Sequence, residues 1–276
     1  MFVAQVALVS ETKKVTAREL TRVAAALQKQ AVRDFAPIWE IRATVDPFVT
    51  LDDVPIGYWP IVVQDNIGFD AAGIHLDKDG QPFALVGHDS DWSLTASHEC
   101  LEMLADPFGN RLIAGKSIKA GQGRVEYLVE VSDPSEAAAF AYTVNGITVS
   151  DFYTPSYFDP HQAVGVRYSF TGAITKPREV LRGGYLSWHH PPSDHWFQAQ
   201  FFGTKLKFVD LGPLARNGQS IRAQIDSLTI RPQMNAMRGK GQQSRLRSLT
   251  ASARTDDATE SKAASWRAQF KALVNK

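Results

Sequence analysis

The chain has a single cysteine, no surplus of either charge and no long apolar run. Cys100 alone cannot form an intramolecular disulfide, which excludes a disulfide-stapled scaffold and suits a reducing compartment. Thirty basic and 29 acidic residues nearly cancel over 276 positions, so no global field favours nucleic acid or an anionic membrane. No apolar stretch approaches the roughly 20 residues of a membrane-crossing helix. The opening segment, Met1 to Val9, lacks the basic start and the apolar length of a secretory signal. A glycine-rich phosphate loop, a Ser/His/Asp order and an internal repeat are also missing. The expectation is a soluble cytoplasmic protein with no nucleic-acid or membrane partner.

The order of elements points to an α+β fold. Phe2 to Val9 reads as a strand, and Thr16-Ala-Arg-Glu19 is a capping-box signature before the helical spacing of Leu20, Val23, Ala24, Leu27 and Ala31. That helix is expected to stop before Pro37, with a strand from Ile38 to Val45 and another from Tyr58 to Gln64. Ile74 to Leu76, the turn Asp77 to Gly80, and Phe83 to Val86 read as a hairpin. A second helix follows, and from Val125 onward short strands dominate, at Val125 to Val131, Tyr142 to Val149, Val164 to Phe170 and Phe197 to Phe208. Residues 1–232 therefore form the globular domain. Residues 233–262, rich in Gln, Ser, Arg, Thr and Gly, read as a flexible linker. Residues 263–276 place Trp266, Phe270 and Leu273 on one face of a short terminal helix suited to docking on a protein partner.

The second helix carries Ser97-His98-Glu99-Cys100-Leu101-Glu102-Met103-Leu104-Ala105-Asp106-Pro107. With His98 at zero on a helical wheel, Glu102 falls near about 40°, Asp106 near about 80° and Glu99 near about 100°. The rest of the circle is apolar, so the helix is sunk in a core and presents one polar strip. His-Glu at the start of such a strip has a mechanical meaning in zinc peptidases. The histidine holds the metal, the next residue serves as general base, and the residue one turn on is a second ligand. Here that second ligand is Glu102 in place of histidine, an accepted zinc ligand that makes the site more negative. Glu130, in Val129 to Pro134, is the candidate third ligand, which leaves the fourth position open as in catalytic rather than structural zinc sites. Asp106 and Asp133 are placed to orient the ligands, or else to cap the turns before Pro107 and Pro134. A solvated acidic helix face with no metal is the alternative.

Ser97-His98-Glu99-x-x-Glu102-x-x-x-Asp106-Pro107-x-x-Asn110 resembles the Ser-His-Glu-x-x-Glu-x-x-x-Asp-Pro signature of a bacterial zincin-like family, distantly similar to the plant exordium (phosphate-induced) proteins. The resemblance spans roughly residues 20 to 190 in ordered blocks. They include Arg33 to Trp39, His75, Gln81 to Ala84, Glu130-Val-Ser-Asp133-Pro134, Tyr142-x-Val-Asn-Gly146, Asp151-Phe152, Phe158-Asp159 and Gly183-Gly184-Tyr185. It implies a zincin-like metallopeptidase domain, with the hairpin around His75 to Val86 supplying an edge strand above the active-site helix and a strand-rich C-terminal half. It implies zinc on His98, Glu102 and Glu130, Glu99 as general base, and a peptide or protein substrate. Ser132 stands where the family often has cysteine. Transition-state donors are sought in Tyr153 and in His189. The latter lies in the run Gly183 to Trp196, which reads as a cleft wall or an exposed, proline-broken aromatic loop. The alternative function is a catalytically silent zincin-like module for binding or assembly in a larger complex.

Overall fold

Three continuous apolar runs, Val6 to Val9, Pro60 to Val63 and Phe83 to Val86, have the composition of strands buried on both faces, and they become the centre of a largely parallel sheet. The computed structural model describes residues 3–69 and 71–229, so the expected linker and the terminal helix with Trp266, Phe270 and Leu273 lie outside the described residues. In chain order the first half contains β1 (Ala4–Ser10), α1 (Ala17–Lys29), α2 (Ala36–Trp39), β2 (Ala43–Phe48), β3 (Trp59–Gln64), β4 (Gly73–Lys78), β5 (Gln81–Gly87) and α3 (Trp92–Ala105). The strands assemble as β2-β1-β3-β5-β4, all parallel except β4, which turns back antiparallel on β5 and forms the edge. One face of this sheet, through Val6, Leu8, Ile61, Val63, Ala84 and Val86, packs in the same core as α1 and α3. The opposite face buries Ala7, Val9, Val62, Ile74, Phe83 and Leu85 under Leu51 and Val54.

The first helix begins as expected, with the Thr16 hydroxyl accepting from the Glu19 backbone N–H at 3.2 Å. It does not stop before Pro37. A π-helical stretch, Gln30–Phe35, follows α1 and leads directly into α2, where Pro37 sits in the first turn and its missing N–H costs nothing. Glu40, in the left-handed conformation, ends the helix, so the strand expected from Ile38 starts only at Ala43.

The second half contains β6 (Leu112–Lys116), β7 (Arg124–Leu128), β8 (Tyr142–Val144), β9 (Ile147–Val149), β10 (Tyr185–His190), β11 (His195–Gln200), β12 (Lys207–Gly212) and α4 (Ile221–Leu228). An antiparallel sheet runs in the order β12-β11-β10-β7-β6, and β8-β9 is a separate hairpin. The architecture is α+β. Four sequence expectations change here. Tyr142 to Val149 is not one strand but the hairpin of β8 and β9. Val164 to Phe170 is irregular apart from one bridge, Tyr153 to Ser169. Phe197 to Phe208 spans two strands rather than one. The run Gly183 to Trp196 is not a loop, because its prolines fall in the turn and its alternating residues build β10 and β11. Trp188 is fully buried and stacks on Phe197 at 6.1 Å, on the face turned to the main core. The other face buries Leu128 and Trp196 under Ile225 of α4.

Among the described residues no helix is long and apolar enough to cross a membrane. Cys100 is buried on the apolar side of α3, and burial pushes its thiol up to about 12. A thiol reagent at neutral pH is therefore expected to label the chain only after denaturation. Rapid labelling of the native protein would show that α3 is not packed as described.

Candidate functional site

The polar strip of α3 is not solvated. Every residue from Ala96 to Ala105 is buried, including His98 at 8% exposed, Glu99 at 3% and Glu102 at 0%. Two anchors fix the helix. Trp92 at its start donates to Glu19 of α1 at 3.0 Å. Ser97, next to His98, donates to Gln30 at 2.7 Å and accepts from the Ser150 backbone N–H at 2.9 Å, while Gln30 also donates to the Ser150 carbonyl. Ser97→Ala leaves two buried polar groups without partners and is expected to cost about 2–3 kcal/mol in urea denaturation. A loss below about 0.5 kcal/mol would mean that this network does not hold the helix.

His98 Nε2 lies 3.3 Å from Glu102 Oε1 and 3.1 Å from Asp133 Oδ1. Asp133 opens a short 3-10 turn (Asp133–Ser135) that rests against the start of β10. That contact requires Gly184, where an added Cβ would stand 2.4 Å from the Asp133 carbonyl oxygen. Burial by itself would lower the pKa of His98, but the charge of Glu102 and the bond to Asp133 outweigh it and hold the imidazole well above its usual range. Burial would raise Glu102, but Arg222 and then His98 hold it well below the carboxylate range.

Arg222, from α4, is a site residue that sequence reasoning missed, as is His75 of β4. Its guanidinium is ion-paired with Glu102, lies 3.0 Å from Glu130 Oε1 and 3.5 Å from Glu99 Oε2, and is braced on its own helix by Asp226 at 3.3 Å. An isolated arginine 120 positions from its partner carries no pattern. The available signal is the Asp-Pro-x-x-Asn segment after α3. Asn110 accepts from the Ile221 backbone N–H at 2.9 Å, and the Gly109 carbonyl accepts from that of Arg222 at 2.9 Å. The segment therefore docks the first turn of α4 over the carboxylates.

His75 on β4 completes the cluster, with Nδ1 3.5 Å from Glu99 Oε2 and 3.7 Å from Glu102 Oε2. Of the residues expected in a site, His98, Glu99, Glu102, Glu130 and Asp133 come together. Glu130 faces Arg222 and Ser187 (3.5 Å). Burial and the charge of Asp133 push its pKa well up against the pull of Arg222. Asp133, expected only to orient the ligands, is the residue beside His98 Nε2. Asp106 ends α3, its carboxylate accepting from the Arg111 backbone N–H at 2.7 Å and its carbonyl oxygen 3.2 Å from His75 Nε2. Tyr153 is fully buried, stacked on Tyr157 at 4.3 Å, with a hydroxyl that has no hydrogen-bond partner. Burial, then Tyr157 and the charges of Glu102, Glu130 and Asp133, raise its pKa well above the usual range. His189 is occupied elsewhere, with Glu126 and Asp194 each 3.0 Å from one of its ring nitrogens.

Among the described residues, two groups have ligand atoms close enough to share an ion, each group's atoms lying within 4.8 Å of one another: His98 with Asp133 and Glu136, and His75 with Glu99 and Glu102. Metal–ligand distances of about 2.0–2.1 Å in a tetrahedral zinc site put ligand atoms about 3.3 Å apart. The His98–Glu102 and His98–Asp133 separations match that spacing. Asp133 Oδ1 faces His98 Nε2, and its Oδ2 is buried without a hydrogen bond, a state that an ion would relieve. These groups could hold a metal ion. Compared with protein-family models, curated proteins and solved structures, the chain matches none.

Proposed function

We propose that the chain is a zinc-dependent hydrolase of the metallopeptidase type, holding its metal between His98, Glu102 and Asp133. The observation that carries the reading is the placement of His98 Nε2 at 3.3 Å and 3.1 Å from two carboxylate oxygens, on a helix where Glu99 follows directly. Asp133 replaces Glu130 as the favoured third ligand, because Asp133 lies 3.1 Å from His98 Nε2, whereas Glu130 faces Arg222 and Ser187. When bound, the ion would supply Lewis-acid polarisation of a carbonyl and of water. Glu99, a quarter-turn from His98, would take the proton of the attacking water at its carboxylate and pass it to the leaving amine. A zincin-like fold is supported by the mixed sheet, in which the antiparallel edge strand β4 lies alongside α3. An extended peptide or protein substrate would add to that edge as a further strand.

A second reading is a catalytically silent zincin-like module that keeps the metal. It is favoured by the surroundings of Glu99, which is 3% exposed and close to both His75 and Arg222. Gly73 of β4 also covers it so tightly that a Cβ there would stand 2.8 Å from Glu99 Oε1. One variant separates the two readings. Glu99→Gln is expected to abolish hydrolysis of an unstructured protein substrate, by at least about 100-fold, while zinc stays bound. A zinc-loaded chain with no turnover in either form would establish the silent module instead.

A further inference from the structure

The Glu102 carboxylate divides its two oxygens between two groups of ligands. Oε1 faces His98 and accepts from the Ser132 backbone N–H at 3.2 Å, whereas Oε2 faces Arg222 and, at 3.7 Å, His75 Nδ1. The second group has the features of a cation position in its own right. His75 is 1% exposed, and its Nε2 lies 3.2 Å from the Asp106 carbonyl oxygen, an atom that can only accept. Nε2 is therefore the donor to that carbonyl, and the ring aims Nδ1 towards two carboxylate oxygens. Histidines that ligate metals are typically fixed in this way, by an N–H donated from the far nitrogen to a backbone carbonyl or a carboxylate. His75 Nδ1 and Glu99 Oε2 are both buried without a hydrogen bond even with Arg222 beside them.

Charge points the same way. The carboxylates of Glu99, Glu102, Glu130 and Asp226 lie within 3.5 Å of the one Arg222 guanidinium, which is the cation they share. An ion at His98 would leave the His75 side still dependent on Arg222.

We propose that His75, Glu99 and Glu102 form a second divalent-cation position, joined to the first through Glu102, and that Arg222 is the resident cation that stands in for this second ion. The inference rests on the metal site proposed at His98. In this arrangement Arg222 limits the cluster to one metal, and removing its charge converts the site to a dinuclear one. Glu102 then bridges the two ions, one through each oxygen.

The test is zinc stoichiometry, by elemental analysis of the full chain after dialysis against zinc. The unaltered chain is expected to hold one zinc, Arg222→Met two, and Arg222→Met with His75→Gln one again. A folded Arg222→Met chain that holds only one zinc overturns the proposal and leaves the His98 site standing. So does a second zinc that survives His75→Gln. No zinc in the unaltered chain overturns the reading at His98 itself. If Arg222→Met does not fold in EDTA, refolding in zinc decides the matter. Recovery of native circular dichroism is expected, because the second ion replaces the missing charge, and failure to recover contradicts the proposal.

Discussion

In EDTA, Arg222→Ala is expected to destabilise the chain by about 3–5 kcal/mol, the cost of leaving a buried charge without its partner. The guanidinium is almost completely buried and is the cation within 3.5 Å of Glu99, Glu102 and Glu130 together. Alanine keeps the helical propensity of α4, so the loss isolates the side chain. Ile225 and its small apolar cluster still hold the helix to the sheet. Arg222→Lys is expected to recover only part of the loss. Its ammonium is a compact point charge and cannot span three carboxylates as a planar fork does. Chemical denaturation in EDTA measures both variants. A loss below about 1 kcal/mol for Arg222→Ala would mean that the carboxylates are balanced without it.

The second large effect separates the two candidate third ligands. Asp133→Asn is expected to weaken zinc binding by more than about 100-fold, beyond the range typical of residues that merely orient a ligand. Glu130→Gln, which touches Arg222 rather than His98, is expected to weaken it by about tenfold or less. Competition with a zinc-binding dye reads both affinities. The reverse order would restore Glu130 as the ligand and leave Asp133 in an orienting role.

Local patterns made much of this arrangement legible before any coordinates. The wheel of α3 places His98, Glu99, Glu102 and Asp106 on one strip; the helix brings the first three into one cluster because its remaining residues are apolar and packed, whereas Asp106 falls past its last turn and caps Arg111 instead. The hairpin of β4 and β5 follows from the turn at Asp79 and Gly80 between two apolar runs. Long-range partners are where sequence reasoning ran short. The spacing from His98 suggests a carboxylate near residue 130, but the choice between Glu130 and Asp133 depends on a turn seated against Gly184, which no local period encodes. Arg222 depends on α4 crossing the second sheet, through contacts between residues more than a hundred positions apart. The helix through Pro37 was hidden for a different reason. A π-helical stretch resets the hydrogen-bond register, so that the proline falls where no donor is needed. The aromatic run from Gly183 to Trp196 likewise reads as broken by proline until β10 and β11 are seen to flank the turn.

The account stands on a metal held at His98, and zinc content tests it most directly. The full chain, purified without chelator and dialysed, is expected to hold one zinc per molecule and to lose thermal stability on adding EDTA. His98→Ala is expected to be folded and zinc-free. A folded chain without zinc, whose melting temperature responds neither to zinc nor to EDTA, would contradict the account and leave a buried ion-pair network in its place.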